Sequence, residues 1–370
     1  MSWVDHAYAK VLRQKSRLDS PRRWKKGHVR GDVCVDYGYK HISEKGQVLS
    51  GGLVKVQDLK SRFPANRISP NLLYLVSSAL PYDAEIQAKA AKKAGGIVVL
   101  NQNGVGYPGW HGPGWEKFNL PMKRIYALAD FVVYQSEFCK QGAEKYLGPT
   151  QAPYSILHNP VDSQAFSPAN SIPAGGPILL LAGTHQFKYR VEAAVETFAL
   201  VLKNLPEARL RIAGQHTWTS QPEALRFLQS CAEQKGIADK IELIPPYSQT
   251  DAPALMRGAH ILLHTKYNDP CPRLVVEAMA CGLPVVYSAT GGMPELIGER
   301  GGLGVPGPDD YEKDHPPRAD SLANGVEKIW ADYPAFRKGA RQQVLDHLDL
   351  EPWLKKHEEL FGQLLGGEGG

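Results

Sequence analysis

Two acids in one stretch carry the clearest chemistry in this sequence. Asp269 and Glu277 stand with seven residues between them in NDPCPRLVVEAMACGLPVVYSATGGMPE, residues 268–295. Around Glu277, the residues Leu274, Val275, Val276, Ala278, Met279 and Ala280 make a helix apolar nearly all round, and such a helix is normally buried. A buried carboxylate is costly unless it is paired or hydrogen-bonded. A ligand with vicinal hydroxyls would supply donors to both oxygens; an arginine or a backbone amide would serve as well. Asp269 lies just ahead of the helix. About six helical residues span roughly 9 Å at 1.5 Å each, close to the distance from a hexose to a ribose across a diphosphate.

Local signals define the elements that must hold these acids. Pro272 suits a first helical turn, where its missing N–H leaves nothing unpaired. Gly282 can take the left-handed conformation that ends the helix. Val285-Val286-Tyr287 then reads as a short buried strand, and Pro294-Glu295 opens another helix after Gly291-Gly292. The unit offers two helix N-termini, each favourable to an anion.

This block resembles the signature of retaining GT-B glycosyltransferases of family 4: acid, seven residues, acid, then an A-M-A-C-G-x-P-V-V run. Here the run is AMACGLPVV, followed by a Gly-Gly-x-Pro-Glu loop. At the front, where the family usually has Glu-Gly-Phe-Gly, this chain has Asp269-Pro270-Cys271-Pro272, a shorter acid in a stiffer loop. The resemblance covers nearly all of residues 30–365. It implies an α/β protein of GT-B architecture, two Rossmann-like doubly wound parallel-sheet domains facing a central cleft. It further implies transfer of a hexose from a UDP-sugar or GDP-sugar to a glycan, lipid or small-molecule acceptor, with no cofactor and no metal. In that reading Glu277 holds the ribose diol and Asp269 the donor hexose, with Tyr247 a wall for the base. Backbone amides around Gly291, Gly292 and Met293 help hold the diphosphate.

The diphosphate clamp departs from the family pattern. The family has Gly-Arg after the first strand of the second domain and a Lys five residues beyond the Arg. This chain reads Gly183-Thr184-His185-Gln186-Phe187-Lys188-Tyr189-Arg190. Lys188 and Arg190 are the candidate cations, with Gly183 and Gly214 at the same sheet edge. In the first domain, Gly51-Gly52 and the loop from Asn103 to Trp115 correspond to the acceptor side. His111 is carried over as the family's strand-end histidine. The spacing Gly104, Gly106, Gly109 is formally a dinucleotide fingerprint, but Pro108, Gly112, Pro113 and Gly114 argue against a following helix, so no such site is expected.

Composition bounds the alternatives. No apolar run approaches the length of a membrane span, and the first residues lack the apolar core of a signal peptide. Five cysteines without a C-x-x-C pair fit a reducing, cytoplasmic compartment rather than disulfides or zinc, and the twelve histidines show no metal-ligand spacing. The net charge of +5 is uneven: residues 1–31 carry nine bases against two acids, and the rest is close to neutral. That basic arm could contact an anionic membrane or remain solvated, and it has no nucleic-acid reading motif.

Residues 32–168 read as the first domain, 169–348 as the donor domain, and 349–370 as a helix returning to the first. Strands at 178–182, 208–213, 240–244, 260–264, 284–287 and 303–305 alternate with helices, the pattern of a parallel sheet covered on both faces. A non-catalytic sugar-nucleotide-binding scaffold and a GT-B epimerase are the rival readings.

Overall fold

The computed structural model describes residues 3–24, 32–42 and 51–366, with side chains from residue 13 onward. Contacts divide the chain into two units, Met1–His158 with Glu351–Gly370, and Asn159–Leu350. The division falls ten residues before the expected one. Residues 159–168 belong to the second unit because Val161 and Phe166 enter its core and Val161 pairs with Asp349.

The first unit is a five-stranded parallel sheet: β1 (Val35–Asp36), β2 (Leu72–Val76), β3 (Ile97–Gln102), β4 (Phe131–Tyr134) and β5 (Tyr154–Ile156), in that spatial order. The runs LLYLV, VVL and VVY are buried throughout, as strands covered on both faces must be. The last helix, Leu350–Leu364, contributes His357 and Phe361 to this core. His357 Nε2 lies 3.0 Å from the Tyr74 hydroxyl, and Phe361 packs edge-on against Phe63 and Tyr74.

The basic arm is not simply a tail. Trp3–Arg23 is a helix, and its end is built into the first unit. Arg23 donates to the fully buried Asp36 at 2.9 Å, and Arg13 donates to the Tyr82 carbonyl at 3.0 Å. Trp24 fills the space that Gly96 leaves open, where a Cβ would fall 2.4 Å from the indole. Among the described side chains, from residue 13 on, the buried positions are Ser16, Ser20 and Trp24, four residues apart. Two serines and one tryptophan give no apolar signal in sequence. Lys25, Lys26 and Arg30 lie outside the described residues.

One further element differs from expectation. Pro108–His111 forms a short helix, with Pro108 at its first position. The next helix runs Trp115–Tyr126, with Pro121 inside it. Asn119 ties that helix to the preceding loop, accepting from the Gly106 amide at 2.7 Å and donating to its carbonyl at 2.8 Å.

The second unit is a six-stranded parallel sheet: β6 (Ile178–His185), β7 (Arg209–His216), β8 (Ile241–Ile244), β9 (Ile261–His264), β10 (Val285–Ala289) and β11 (Gly302–Pro306). Its spatial order is β11-β10-β9-β6-β7-β8. Alternation sends Leu180, Ala182, Leu262 and Val285 to one core, with helix Arg273–Ala280. Leu179, Leu181, Ile261, Leu263 and Val286 enter the other, with helices Lys188–Asn204 and Ala319–Ala331. The chain runs outward from β6 to β8, then returns to the other side of β6 as β9. Ligands of open α/β sheets bind at the strand ends beside such a reversal.

Candidate functional site

The carboxyl ends of β6, β7 and β9 meet at this reversal. His185 and His216 are register partners at the last position of their strands, and their rings stack at 4.8 Å. Close approach of the strands requires glycine one step earlier. Gly214 has φ of +118°, and a Cβ there would lie 2.1 Å from the Gly183 carbonyl oxygen. Burial holds both imidazoles below their ordinary range, and the nearby Arg190 charge adds to it. They are therefore neutral. The Nδ1 atoms of both rings are buried without a hydrogen-bond partner.

Arg190 is buried in the first turn of helix Lys188–Asn204. Its Nη1 donates to the Thr184 carbonyl at 2.6 Å, while its Nε is buried and unpartnered. Such atoms in one place are unusual in a finished core, where buried polar groups are nearly all satisfied. Lys188 is placed differently. It is half exposed, pairs with Glu192 at 3.0 Å and lies over the Phe227 ring at 4.1 Å.

Asp269 follows β9 on a turn clamped from two sides. Asn268, at φ of +48°, is the one non-glycine residue with positive φ among the described residues, a strained conformation of the kind found at functional sites. Gly291 lies against this turn so closely that a Cβ would fall 2.6 Å from the Asp269 carbonyl oxygen. The Gly292 amide donates to that same carbonyl at 3.0 Å, so it is committed to the turn rather than open to an anion. Met293 is fully buried at the start of a five-residue helix.

The Asp269 carboxylate is buried and surrounded by donors. Its Oδ2 lies 3.1 Å from His264 Nε2 and 3.4 Å from Lys266 Nζ. Burial alone would raise its pKa. The Lys266 charge, the His264 hydrogen bond and Arg190 outweigh that and hold the group well below the carboxylate range. His264 is pushed below its ordinary value, by burial above all and against the pull of Asp269, so the neutral ring donates Nε2–H. Among the described residues Oδ1 takes no partner. The result is an ionised acid with one oxygen held and the other available.

Glu277 is buried in helix Arg273–Ala280, which starts just after Pro272 and ends before Gly282 at φ of +83°. Its Oε1 accepts from Arg273 Nε at 3.0 Å, one turn back, so the arginine alternative holds for that oxygen. Burial first, and the Glu277 charge second, raise the Tyr247 phenol.

The residues predicted for the first unit have local roles. Gly51 and Gly52 open helix Gly51–Arg62, and the preceding loop, 43–50, lies outside the described residues. A Cβ on Gly52 would meet Ser78 Oγ at 2.6 Å, so that glycine serves packing within the protein. Asn103 is buried, with its amide N–H on Ser77 Oγ at 2.9 Å, its side-chain nitrogen on Ser78 and its Oδ1 accepting from Lys55 at 3.0 Å. His111 is exposed, its ring 4.7 Å from Phe118.

His264 and Lys266 were missed by motif reading. Their signal was positional: they sit at and just beyond the end of an expected strand, within five residues of an acid. Among the described residues no cluster of three or more His, Cys, Asp or Glu side chains is arranged to hold a metal ion. No described helix is long and apolar enough to cross a membrane.

Residues 162–343 match the family described as glycosyl transferases group 1. That segment is a group 1 glycosyl transferase domain. A curated relative, D-inositol 3-phosphate glycosyltransferase of Mycobacteroides abscessus, is 31% identical over 156 residues, 41% of this chain and 35% of that protein. The match thus spans about a third of the relative's length. Among solved structures, sucrose-phosphate synthase from Thermosynechococcus elongatus superposes with a TM-score of 0.65 at 19% identity, covering 82% of this chain and 75% of that one. Anabaena HepE in complex with UDP gives 0.63 at 17% identity, covering 84% and 81%; HepE has also been solved with UDP-glucose. At these identities the likeness shows the fold. It is GT-B, with two Rossmann-like parallel-sheet units.

Proposed function

We propose that the protein is a retaining glycosyltransferase that moves a hexose from a nucleotide-diphosphate sugar to a glycan, lipid or small-molecule acceptor. The observation that carries this reading is Asp269: a buried, ionised carboxylate with one oxygen held by His264 and Lys266 and the other available, at the reversal of a parallel sheet. A sugar bearing adjacent hydroxyls is the natural donor set for that oxygen.

The other groups take roles by position. Arg190 and Lys266 stabilise the leaving diphosphate, with the unpartnered Nε of Arg190 and the Nδ1 edges of His185 and His216 offered to ligand atoms. Here Lys266 replaces Lys188 as the second cation, because Lys188 is held by Glu192 and Phe227. Glu277 binds the ribose diol beside Tyr247. Positive side chains supply the electrostatic stabilisation, so the reaction proceeds without a metal, by front-face attack within an ion pair. HepE, which shares the fold, was solved with UDP and with UDP-glucose, which supports a nucleotide-sugar donor. The acceptor is assigned to the first unit. The protein is cytoplasmic, with peripheral contact to anionic membrane through the exposed Lys15, Arg17 and Arg22 of the first helix.

Thermal unfolding with UDP, GDP, ADP and their sugar conjugates tests the donor site, with Glu277→Gln as the control that keeps side-chain size. A ligand at 100 times its dissociation constant stabilises by about 2.7 kcal/mol. One nucleotide is expected to stabilise the wild type by several degrees and the variant by much less. Binding without any sugar release would instead support a scaffold, and no stabilisation by any nucleotide would sink the donor reading.

A further inference from the structure

The loop after β11 docks on the same turn that carries Asp269. Tyr267 Oη lies 2.6 Å from the Pro308 carbonyl and 3.1 Å from the Asp310 carbonyl, and it accepts from the Asp310 amide at 3.0 Å. A phenol has one proton to give, and the shorter contact, to Pro308, takes it. The Asp310 carbonyl is satisfied instead by Asn268 Nδ2, which donates to it at 2.8 Å. The Asp310 carboxylate closes the loop on itself: it accepts from the Glu312 amide at 2.7 Å and meets His315 Nε2 at 2.7 Å, with the His315 ring against Tyr267. Residues 308–315 are therefore a strap fastened to the two side chains immediately before Asp269.

The turn is one that needs fastening. Asn268 stands at φ of +48°, a conformation that a residue with a side chain keeps only where its surroundings over-determine it. Its backbone amide is held by Thr290 Oγ1 at 2.9 Å, and that of Tyr267 by the Tyr189 hydroxyl at 3.1 Å. Tyr189 follows β6 and the strap follows β11, so the turn after β9 is gripped from both flanks of its strand. Asp269 is the next residue, and any relaxation of the turn moves its carboxylate. We propose that Tyr267 is a positioning residue for the donor sugar: its hydroxyl, through the strap, holds the Asn268 turn and so aims Asp269 at the sugar hydroxyls. This rests on the donor-site reading above.

What the hydroxyl adds is orientation. The Tyr267 ring is buried and would fill the same space as phenylalanine. Its oxygen donates to one backbone group and accepts from another two residues on, which admits a single register of strap against turn. In that register the Asp310 carbonyl faces Asn268 Nδ2, so the first tie sets up the second. A hydrogen bond weakens steeply as its angle departs from linear, so a small rotation of the turn costs Asp269 its grip on a hydroxyl without removing any atom from the site.

The test is calorimetric titration of wild type and Tyr267→Phe with UDP and UDP-glucose, or with GDP and GDP-mannose if those are what the wild type binds. Loss of the hydroxyl is expected to weaken the sugar nucleotide about ten-fold and the bare nucleotide by less than about two-fold, because only the former reaches Asp269. Tyr37→Phe is the control for a lost buried hydroxyl. It removes the bond to the Phe63 carbonyl at 2.8 Å in the first unit and is expected to leave both affinities unchanged. Should Tyr267→Phe fail to fold, Asn268→Gly decides in its place. Glycine keeps the positive φ without strain but drops the tie to Asp310, and about a five-fold loss confined to the sugar nucleotide is expected. Equal weakening of both ligands would make the strap a structural support and overturn the proposal alone, as would no change in either. A wild type that binds none of the four overturns the donor reading and this proposal with it.

Discussion

The two sheets finish their carboxyl edges differently. In the first unit the strand order follows the chain from β1 to β5, and most polar atoms at the strand ends bond to one another, with Gln102 Oε1 left buried and unpartnered. Asn101 and Asn103 both accept from the buried Lys55, Asn101 donates to Tyr74, and Asn103 leans on Ser77 and Ser78. In the second unit the order reverses between β6 and β9, and the residues beyond those strands keep atoms in reserve. Arg190 Nε and the Nδ1 atoms of His185 and His216 are buried without partners, and Asp269 is held by one oxygen only. Two successive crossovers that leave in opposite directions open a crevice between them, and side chains at its rim face a ligand rather than each other. The second edge thus gathers more unpartnered polar atoms, and it is the candidate site.

The comparison can be broken most sharply at the glycines. Gly214→Ala places a methyl group 2.1 Å from a backbone oxygen at φ of +118°. A loss of at least about 3 kcal/mol is expected, roughly 10 °C in the unfolding temperature, read by calorimetry. Gly51→Ala meets nothing within 4 Å and is expected to change stability by only about a few tenths of a kcal/mol. Equal effects would mean that the β6–β7 approach is not tightly fixed.

Charge placement gives the next effect. Arg190→Ala is expected to lower sugar-nucleotide turnover about 100-fold, and Lys188→Ala by less than about three-fold, in a nucleotide-release assay. The reverse order would return Lys188 to the diphosphate and move Arg190 to the framework.

A smaller effect belongs to the first unit. Burial, with Lys55 adding to it, pushes His357 down to about 4. Its folded form resists protonation while the unfolded form accepts a proton near pH 6.5. Stability is therefore intact above pH 6.5 and is lost as pH falls toward 4. Between pH 7 and pH 5 this one group accounts for about 2 kcal/mol. In His357→Gln the fall in unfolding temperature over that interval is expected to shrink. An unchanged fall would assign the acid sensitivity to the second unit, where His185, His216 and His264 are also held neutral.

The sequence determined the parts whose signal is local. Short apolar runs alternating with helices marked the parallel strands, Pro272 and Gly282 bracketed the helix of Glu277, and the spacing of Asp269 and Glu277 marked the candidate site. Those features lie in residues close along the chain, where backbone preference and side-chain period act directly. Only the tertiary structure decided which charges meet. Lys188 and Arg190 are two residues apart, yet one turns to Glu192 on the surface and the other is buried with its Nη1 on the Thr184 carbonyl, because successive helical positions differ by about 100°. The strand order brought His185, His216 and Lys266 to the same end of the sheet. Ser16, Ser20 and Trp24 became a buried face only once Gly96 had made room for the indole. Such contacts depend on the packing of distant elements, which no local periodicity encodes.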